Sequence, residues 1–213
     1  QSLLARLHMI RVAQRSIDIQ TFIWKDDETG RLLLYELAQA SLRGVRVRII
    51  VDAMFGLKNA EMVASLTRSY PNIYIKYYNP TLKRINPNAI QTLFGGIINF
   101  RKINQRMHNK VMVFDNRAAI IGGRNIENKY YDRGPKTNFR DRDVLLIGKE
   151  SMQVARSFEK FWNFKYSILS KNIREIKKEL SKPTYRYYHN RESFNLGGLF
   201  PFVVKAASNN EVI

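Results

Sequence analysis

A strand, helix, strand pattern in the first quarter of the chain constrains its fold most strongly. Residues 16–24 (SIDIQTFIW) alternate apolar and polar side chains, as a half-buried strand does. Apolar residues within 33–38 repeat at helical spacing, and Gly44 stands where such a helix would end. Residues 45–51 (VRVRIIV) then form a second strand pattern. A helix that connects two strands favours parallel pairing between them.

The same alternation extends to both sides of this unit. Helical spacing is present over 1–15 and 58–68, and a further strand pattern covers 73–78. Strands that alternate with helices are typical of α/β proteins. The sequence therefore predicts an α/β fold with a mixed, largely parallel central sheet flanked by helices.

The second half of the chain predicts a hairpin followed by a helix. Residues 107–114 (MHNKVMVF) and 118–121 are strand patterns joined by Asp115-Asn116-Arg117, residue types suited to a tight turn. A short strand at 144–147 and a helix over 150–166 follow, after which the periodicity weakens. We interpret 1–167 as one domain and 168–213 as a connector or an incomplete C-terminal segment.

Charge and cysteine content restrict the function classes. Lysine and arginine total 36 and aspartate and glutamate 18, so the formal net charge is +18. Such a field favours polyanions or anionic membrane surfaces as partners. The absence of cysteine excludes disulfide frameworks, thiolate zinc sites and cysteine nucleophiles. The longest uncharged stretch, 85–100, is shorter than the roughly 20 apolar residues of a spanning helix.

The candidate chemistry lies in the predicted hairpin. His108 and Lys110 are two residues apart on a strand pattern, so their side chains leave the same face. Gly122 and Gly123 end the returning strand and allow a close approach of the backbone, and the amide of Asn125 follows them. An imidazole, an ammonium and an amide together supply a nucleophile and donors for attack on a phosphodiester, with no metal or other cofactor required.

These residues form a spacing that resembles the signature of the phospholipase D superfamily. The spacing is His-x-Lys-x4-Asp-x6-Gly-Gly-x-Asn. The segment that begins SIDIQTFIWKDDETG, together with the later FRDRDVLLIG and FEKFW, is similar to the cardiolipin-synthase-like bacterial branch, N-terminal half. The similarity spans roughly residues 3–167. The signature positions are His108, Lys110, Asp115, Gly122, Gly123 and Asn125.

The resemblance implies a double displacement. His108 would attack phosphorus to form a phosphohistidine, and Lys110 and Asn125 would hold the nonbridging oxygens. An alcohol or water would then accept the group. The resemblance also implies substrate contacts at the segment Gly122, Gly123 and Arg124, where glycine replaces a serine of other members.

Three acidic residues have assignments that depend on the resemblance. A downstream carboxylate of the family orients the nucleophilic histidine, and the matching residue is Asp141, with Asp143 as the alternative. Asp115 belongs to the signature, but its place in the predicted turn makes a structural role as reasonable as a catalytic one.

The chain departs from the family in having one motif where two are needed. His189 is not followed by the required Asp and Gly-Gly-x-Asn, and His8 has no acidic or metal-binding companion, so both are interpreted as ordinary histidines. The second motif would come from a missing half of the enzyme or from the mate in a homodimer.

Three functions remain open at this point. The first is a phosphatidyltransferase or phospholipase acting on anionic glycerophospholipids, peripheral at a bacterial inner membrane, with any N-terminal anchor outside this sequence. Its apolar segment 93–98 would touch acyl chains or would be a buried turn. The second is a homodimeric nuclease that binds nucleic acid through its basic surface. The third, a non-catalytic binding module, is disfavoured by the complete set His108, Lys110 and Asn125.

Overall fold

The computed structural model describes residues 2–88 and 105–182. Over these ranges the chain forms a seven-stranded sheet with helices on both faces. The apolar segment 93–98, His189 and the tail from 183 onward lie outside the described residues.

Five α-helices and seven strands form the regular structure of the described chain. The helices are α1 (Ser2–Val12), α2 (Glu28–Leu42), α3 (Ala60–Ser69), α4 (Lys149–Trp162) and α5 (Arg174–Leu180). The strands are β1 (Ser16–Thr21), β2 (Arg46–Asp52), β3 (Ile73–Tyr78), β4 (Val111–Phe114), β5 (Ala118–Gly122), β6 (Asp143–Ile147) and β7 (Ser167–Leu169).

The sheet is mixed, as predicted, but mostly antiparallel. Its order is β6-β5-β4-β1-β2-β3-β7. The pairs β1–β2 and β2–β3 are parallel, whereas β1–β4, β4–β5, β5–β6 and β3–β7 are antiparallel. The prediction of a largely parallel sheet is therefore wrong. It extended the pattern of the first half, where helices connect the strands, to the second half, where a hairpin and a loop connect β4, β5 and β6.

Alternate residues of the central strands face two different cores. Ile49 packs in a large cluster with residues of α1, α2, α3 and α5, while Ile50 packs in a smaller cluster with Phe158 of α4. Because successive side chains of a strand point to opposite faces, α4 lies on the face opposite the other helices.

The fold continues beyond the predicted boundary at residue 167. Strand β7 pairs with β3, and Ile173 and Ile176 are fully buried in the large core. Residues 167–180 thus complete the sheet edge and cover α3. The sequence signal was weak because these elements are only three and seven residues long.

The two edges at which the strands end differ in their connections. We call one the site edge, where β1, β2, β3 and β5 end and β4, β6 and β7 begin. Its loops are 22–27, 53–59, 79–88, 105–110, 123–142 and 163–166. We call the other the turn edge, and its connections are 13–15, 43–45, 70–72, 115–117 and 148.

Candidate functional site

His108 and Lys110 lie at the site edge, just before β4. The predicted strand over 107–114 begins only at Val111, because Val111 pairs with Gln20 and β1 ends one residue later at Thr21. His108 is exposed, whereas Lys110 is only 8% exposed. The nucleophile candidate is thus accessible, and the cation lies beneath it.

The lysine ammonium contacts the imidazole directly. Lys110 Nζ lies 3.0 Å from His108 Nδ1 and 3.2 Å from Nε2, and it donates to the His108 carbonyl oxygen at 2.6 Å. An ammonium has donors only, so a hydrogen bond to the ring requires an unprotonated ring nitrogen. The neutral imidazole is the form that can act as a nucleophile.

Burial changes the acidity of this lysine. Desolvation lowers the pKa of Lys110 below its ordinary value, and the negative charge of Asp141 opposes this effect. Asp141 is thus close enough to Lys110 to act on its charge.

Two buried polar residues hold the segment that leads into His108. Asp52, at the end of β2, is fully buried and accepts from Arg106 Nη1 at 3.2 Å and from the Met107 N–H at 3.3 Å. Asn79, just after β3, donates through Nδ2 to the Gln105 carbonyl at 3.0 Å. Both fix the backbone that precedes the nucleophile candidate. Sequence reasoning missed them, although polar residues at the carboxyl ends of parallel strands are a usable signal.

An aromatic wall stands beside the imidazole. The ring centroid of Phe22 lies 4.9 Å from that of His108 and 4.8 Å from that of Phe55. Lys110 Nζ lies 5.6 Å from the Phe22 ring centroid. These two phenylalanines, which the sequence did not single out, give one side of the site an apolar surface.

The two adjacent glycines leave room for carboxylate side chains to lie directly against the backbone. A methyl group at Gly123 would overlap the Asp141 carboxylate, and one at Gly122 would overlap Asp143 Oδ1 and the Arg142 carbonyl. The N–H of Gly123 donates to the Arg142 carbonyl at 3.3 Å. The close approach predicted at these glycines is therefore made by the chain itself at the start of β6.

The structure separates the roles of the two downstream acidic residues. Asp143 accepts from Ser2 Oγ at 2.6 Å, from Arg6 Nη1 at 3.0 Å and from Arg124 Nη1 at 3.1 Å. Burial raises the pKa of Asp143, but its bond to Arg6 and the other partners outweigh burial and lower it. Asp143 thus ties β6 to α1, whereas the Asp141 carboxylate lies against Gly123.

Asn125 and Arg124 are held within the protein. Asn125 is 2% exposed, accepts from the Ile23 N–H at 3.0 Å and donates through Nδ2 to the Tyr130 hydroxyl at 2.9 Å. Arg124 donates to the Tyr130 carbonyl at 3.2 Å in addition to its pair with Asp143. Both therefore organise the loops around the site, and one amide hydrogen of Asn125 remains for a further acceptor.

Asp115 lies at the other end of the hairpin, on the turn edge. Its carboxylate accepts from the backbone N–H groups of Gln14, Arg15 and Ser16 at 2.7 to 2.9 Å. Burial alone would raise the pKa of Asp115, but these three bonds lower it. Of the two roles that the sequence left open, the geometry favours the structural one.

The structure thus brings some of the predicted site residues together at one place. His108, Lys110, Gly123 and Asp141 meet at the site edge, Asn125 lies buried behind them, and Asp115 is remote. Within residues 2–88 and 105–182, no cluster of three or more His, Asp or Glu side chains could hold a metal ion. In the same ranges, no helix has the length and apolar character needed to cross a bilayer.

Comparison with known proteins identifies relatives over most of the chain. Residues 7–162 match the family described as "Cardiolipin synthase, PLD-like domain". The chain is 38% identical over 187 residues to an uncharacterized protein of Helicobacter pylori strain J99, covering 83% of this chain and 36% of that protein. It is 35% identical over 159 residues to cardiolipin synthase C of Escherichia coli, covering 74% of this chain and 32% of that protein. The chain therefore spans about a third of the length of these relatives.

Solved structures share the fold at low sequence identity. Phosphatidylserine synthase of Haemophilus influenzae superposes with a TM-score of 0.55 at 18% identity, over 84% of this chain and 39% of that one. NucT of Helicobacter pylori superposes with a TM-score of 0.53 at 19% identity, over 79% of this chain and 90% of that one.

The family match covers well over half of the residues and includes His108, Lys110, Asn125 and Asp141. With relatives above 30% identity and a sheet shared with solved members, the chain belongs to the cardiolipin synthase, phospholipase D-like domain family of the phospholipase D superfamily.

Proposed function

We propose that this chain is the histidine-bearing half of a phosphatidyltransferase that joins anionic glycerophospholipids, as a cardiolipin synthase does. The observation that carries the proposal is the exposed His108 imidazole in contact with the Lys110 ammonium. The apolar wall of Phe22 and Phe55 beside it suits a lipid substrate.

The reaction begins with attack by a neutral His108 nitrogen on the phosphorus of phosphatidylglycerol. A nitrogen–phosphorus bond forms, and the bond from phosphorus to the headgroup glycerol oxygen breaks. Lys110 balances the charge on the nonbridging oxygens, and Asp141 maintains the positive charge of Lys110. The departing glycerol takes a proton from an acid of the second motif.

The second half of the reaction reverses these transfers. The headgroup hydroxyl of another phosphatidylglycerol attacks the phosphohistidine and returns its proton to the same acid. The product is cardiolipin, and His108 is released neutral. Water in place of this hydroxyl would give hydrolysis. The second motif comes from a missing half of the protein or from a partner subunit, and residues 168–213 are proposed as the connector towards that half.

The localisation proposed with this reaction is peripheral at a bacterial inner membrane. The formal charge of +18 supports docking on anionic lipid, because each basic residue near such a surface contributes about 1 kcal/mol.

A homodimeric nuclease is the second candidate. NucT of Helicobacter pylori is covered over 90% of its length by this chain, which makes a single-motif protein of this size a reasonable alternative. In such a dimer, each subunit would supply one His108 to a shared site.

The test is a product analysis of the purified chain with phosphatidylglycerol vesicles and, in parallel, single-stranded DNA. Wild type, His108→Ala and the control His8→Ala are compared, alone and fused to the part of the Helicobacter pylori relative that the alignment leaves uncovered. Mass in solution is measured for each. Cardiolipin formation that His108→Ala abolishes and His8→Ala retains supports the proposal.

DNA cleavage by a dimer without lipid transfer would replace the proposal with the nuclease. Lipid transfer that persists in His108→Ala, or no lipid product from any form of the protein, would contradict it.

A further inference from the structure

Large apolar side chains are exposed in the loops of the site edge. Five of them are between 40% and 48% exposed, although they belong to loops that leave different strands. A group of exposed apolar side chains at one end of a soluble domain indicates an interaction surface. These residues are Met54, Phe55, Leu82, Phe139 and Phe164.

Neighbouring aromatic rings support the three exposed phenylalanines. Phe164 stacks on Tyr78 with ring centroids 6.1 Å apart and meets Tyr166 edge-on at 5.2 Å. Phe139 lies 5.0 Å from Tyr130. These contacts hold the exposed rings against the protein surface.

Exposed cations are interleaved with the apolar residues. Within 2–88 and 105–182, six exposed cations of the site-edge loops have no ion-pair partner within 4.0 Å. Amphipathic surfaces that combine aromatic and basic residues bind at the interface of anionic bilayers. The six are Lys25, Lys83, Lys136, Arg140, Arg142 and Lys165.

The turn edge lacks this combination in the described part of the chain. Its large exposed apolar residues are Val12, Leu42 and Ile147, each the last residue of a helix or strand, and none of the three is aromatic. Basic residues such as Arg15 and Arg43 are exposed there too. Charge alone therefore does not distinguish the two edges, whereas exposed phenylalanines do.

We propose that the site edge docks on an anionic bilayer, with Phe55, Phe139 and Phe164 inserted at the level of the headgroups. This inference deepens the proposed function, because it would place His108 at the membrane surface. A lipid surface is favoured over nucleic acid because Met54 and Leu82 have no ring on which a base could stack.

The experiment measures contact with acyl chains separately from turnover. Single variants Phe139→Trp, Phe164→Trp and the control Leu42→Trp are mixed with phosphatidylglycerol vesicles that contain brominated lipid. Leu42 is 66% exposed at the turn edge, so its variant reports non-specific adsorption. Trp24 and Trp162 are present in every variant and contribute a common background. We expect quenching in the two site-edge variants and none beyond background in the control.

A binding measurement complements the quenching. Replacing both Phe139 and Phe164 by serine should weaken partitioning onto phosphatidylglycerol vesicles about tenfold, since each ring loses its apolar contact. The control pair Val12→Ser and Leu42→Ser should leave partitioning unchanged. Vesicles of phosphatidylcholine should bind wild type more weakly, because the six cations gain nothing there.

Equal quenching at Leu42→Trp, or no quenching at either site-edge position, would overturn the docking inference. So would loss of single-stranded DNA binding in the Phe139→Ser, Phe164→Ser variant with unchanged vesicle binding, which would assign the surface to nucleic acid. His108→Ala should bind vesicles as wild type does, because docking does not require the reaction. If this edge docks but no lipid product forms, the result contradicts the proposed reaction and leaves the docking inference intact.

Discussion

The two ends of the β4–β5 hairpin carry residues of one sequence signature but serve different purposes. At the site edge, His108 is exposed and its ring contacts Lys110. At the turn edge, Asp115 is bound by three backbone N–H groups that join α1 to β1. A shared signature therefore does not mean a shared site, because seven residues of extended chain separate the two ends by roughly 20 Å.

The largest expected effect is on activity at the site edge. His108→Ala should reduce phosphatidyl transfer by on the order of 10³-fold or more, since no other group would form the covalent intermediate. The melting temperature should stay unchanged, because this side chain is exposed. Transfer assays and thermal unfolding on the same preparation check both parts. A large loss of stability would show that His108 belongs to the fold instead.

The matching variant at the turn edge should give the opposite result. Asp115→Ala should lower the free energy of unfolding by about 2 kcal/mol, because three N–H groups lose a charged acceptor and φ of 53° is unfavourable for alanine. Asp115→Asn keeps one acceptor oxygen and should lose less. Turnover per folded molecule should stay normal in both. Denaturant unfolding measures the free energy of unfolding, and rates per folded molecule measure turnover. A loss of rate with unchanged stability would restore the catalytic assignment of Asp115.

Acid should weaken this contribution of Asp115. The pKa of the folded state is lowered, so the stabilisation is fully present above the unfolded pKa of about 3.9. It is lost as the pH falls through the lower, folded pKa. The difference in stability between wild type and Asp115→Ala should therefore shrink below about pH 4.

Two glycines give a second comparison of the edges, at smaller magnitude. Gly123→Ala places a methyl group on the Asp141 carboxylate, which should move away and reduce turnover about tenfold with little change in stability. Gly44→Ala at the turn edge meets open space but has φ of 89°, so it should cost about 1 kcal/mol and leave turnover intact. Equal effects of the two variants on turnover would contradict the position of Asp141 in the site.

The smallest expected effect concerns pH. Burial lowers the pKa of Lys110 below the ordinary lysine value of about 10.4. Activity that needs the ammonium should therefore decline at a lower pH than it would with an ordinary lysine. In Lys110→Arg the guanidinium remains protonated, and this alkaline decline should disappear even if the rate is lower. Profiles of kcat/KM against pH for the two proteins measure it. The same decline in both would assign it to another group.

Much of the fold followed from local patterns. The strands at 73–78 and 118–121 and the helix and strand units before them agree with the structure, because apolar periodicity and turn residues act over short ranges. The antiparallel pairing of the predicted β4–β5 hairpin is confirmed, but the pairing direction of the other later strands did not follow. β7 left no local signal, because a three-residue strand has almost no periodicity of its own.

The candidate site divides in the same way. The spacing of His108 and Lys110 placed both side chains together, and the structure has their nitrogens 3.0 Å apart. The buried anchors Asp52 and Asn79 and the wall of Phe22 and Phe55 come from other strands and loops. Their distance along the chain from His108 left no local pattern to detect.

The sequence by itself determined the family, the mixed α/β class and the pair at the centre of the proposed chemistry, because a two-residue spacing on extended backbone fixes which side chains meet. Only the tertiary structure decided that Asp115 joins backbone groups about a hundred residues away, that Asp143 binds Arg6, and that the Asp141 carboxylate lies against Gly123. A carboxylate takes its function from the donors that the fold brings to it, and those donors are distant in sequence.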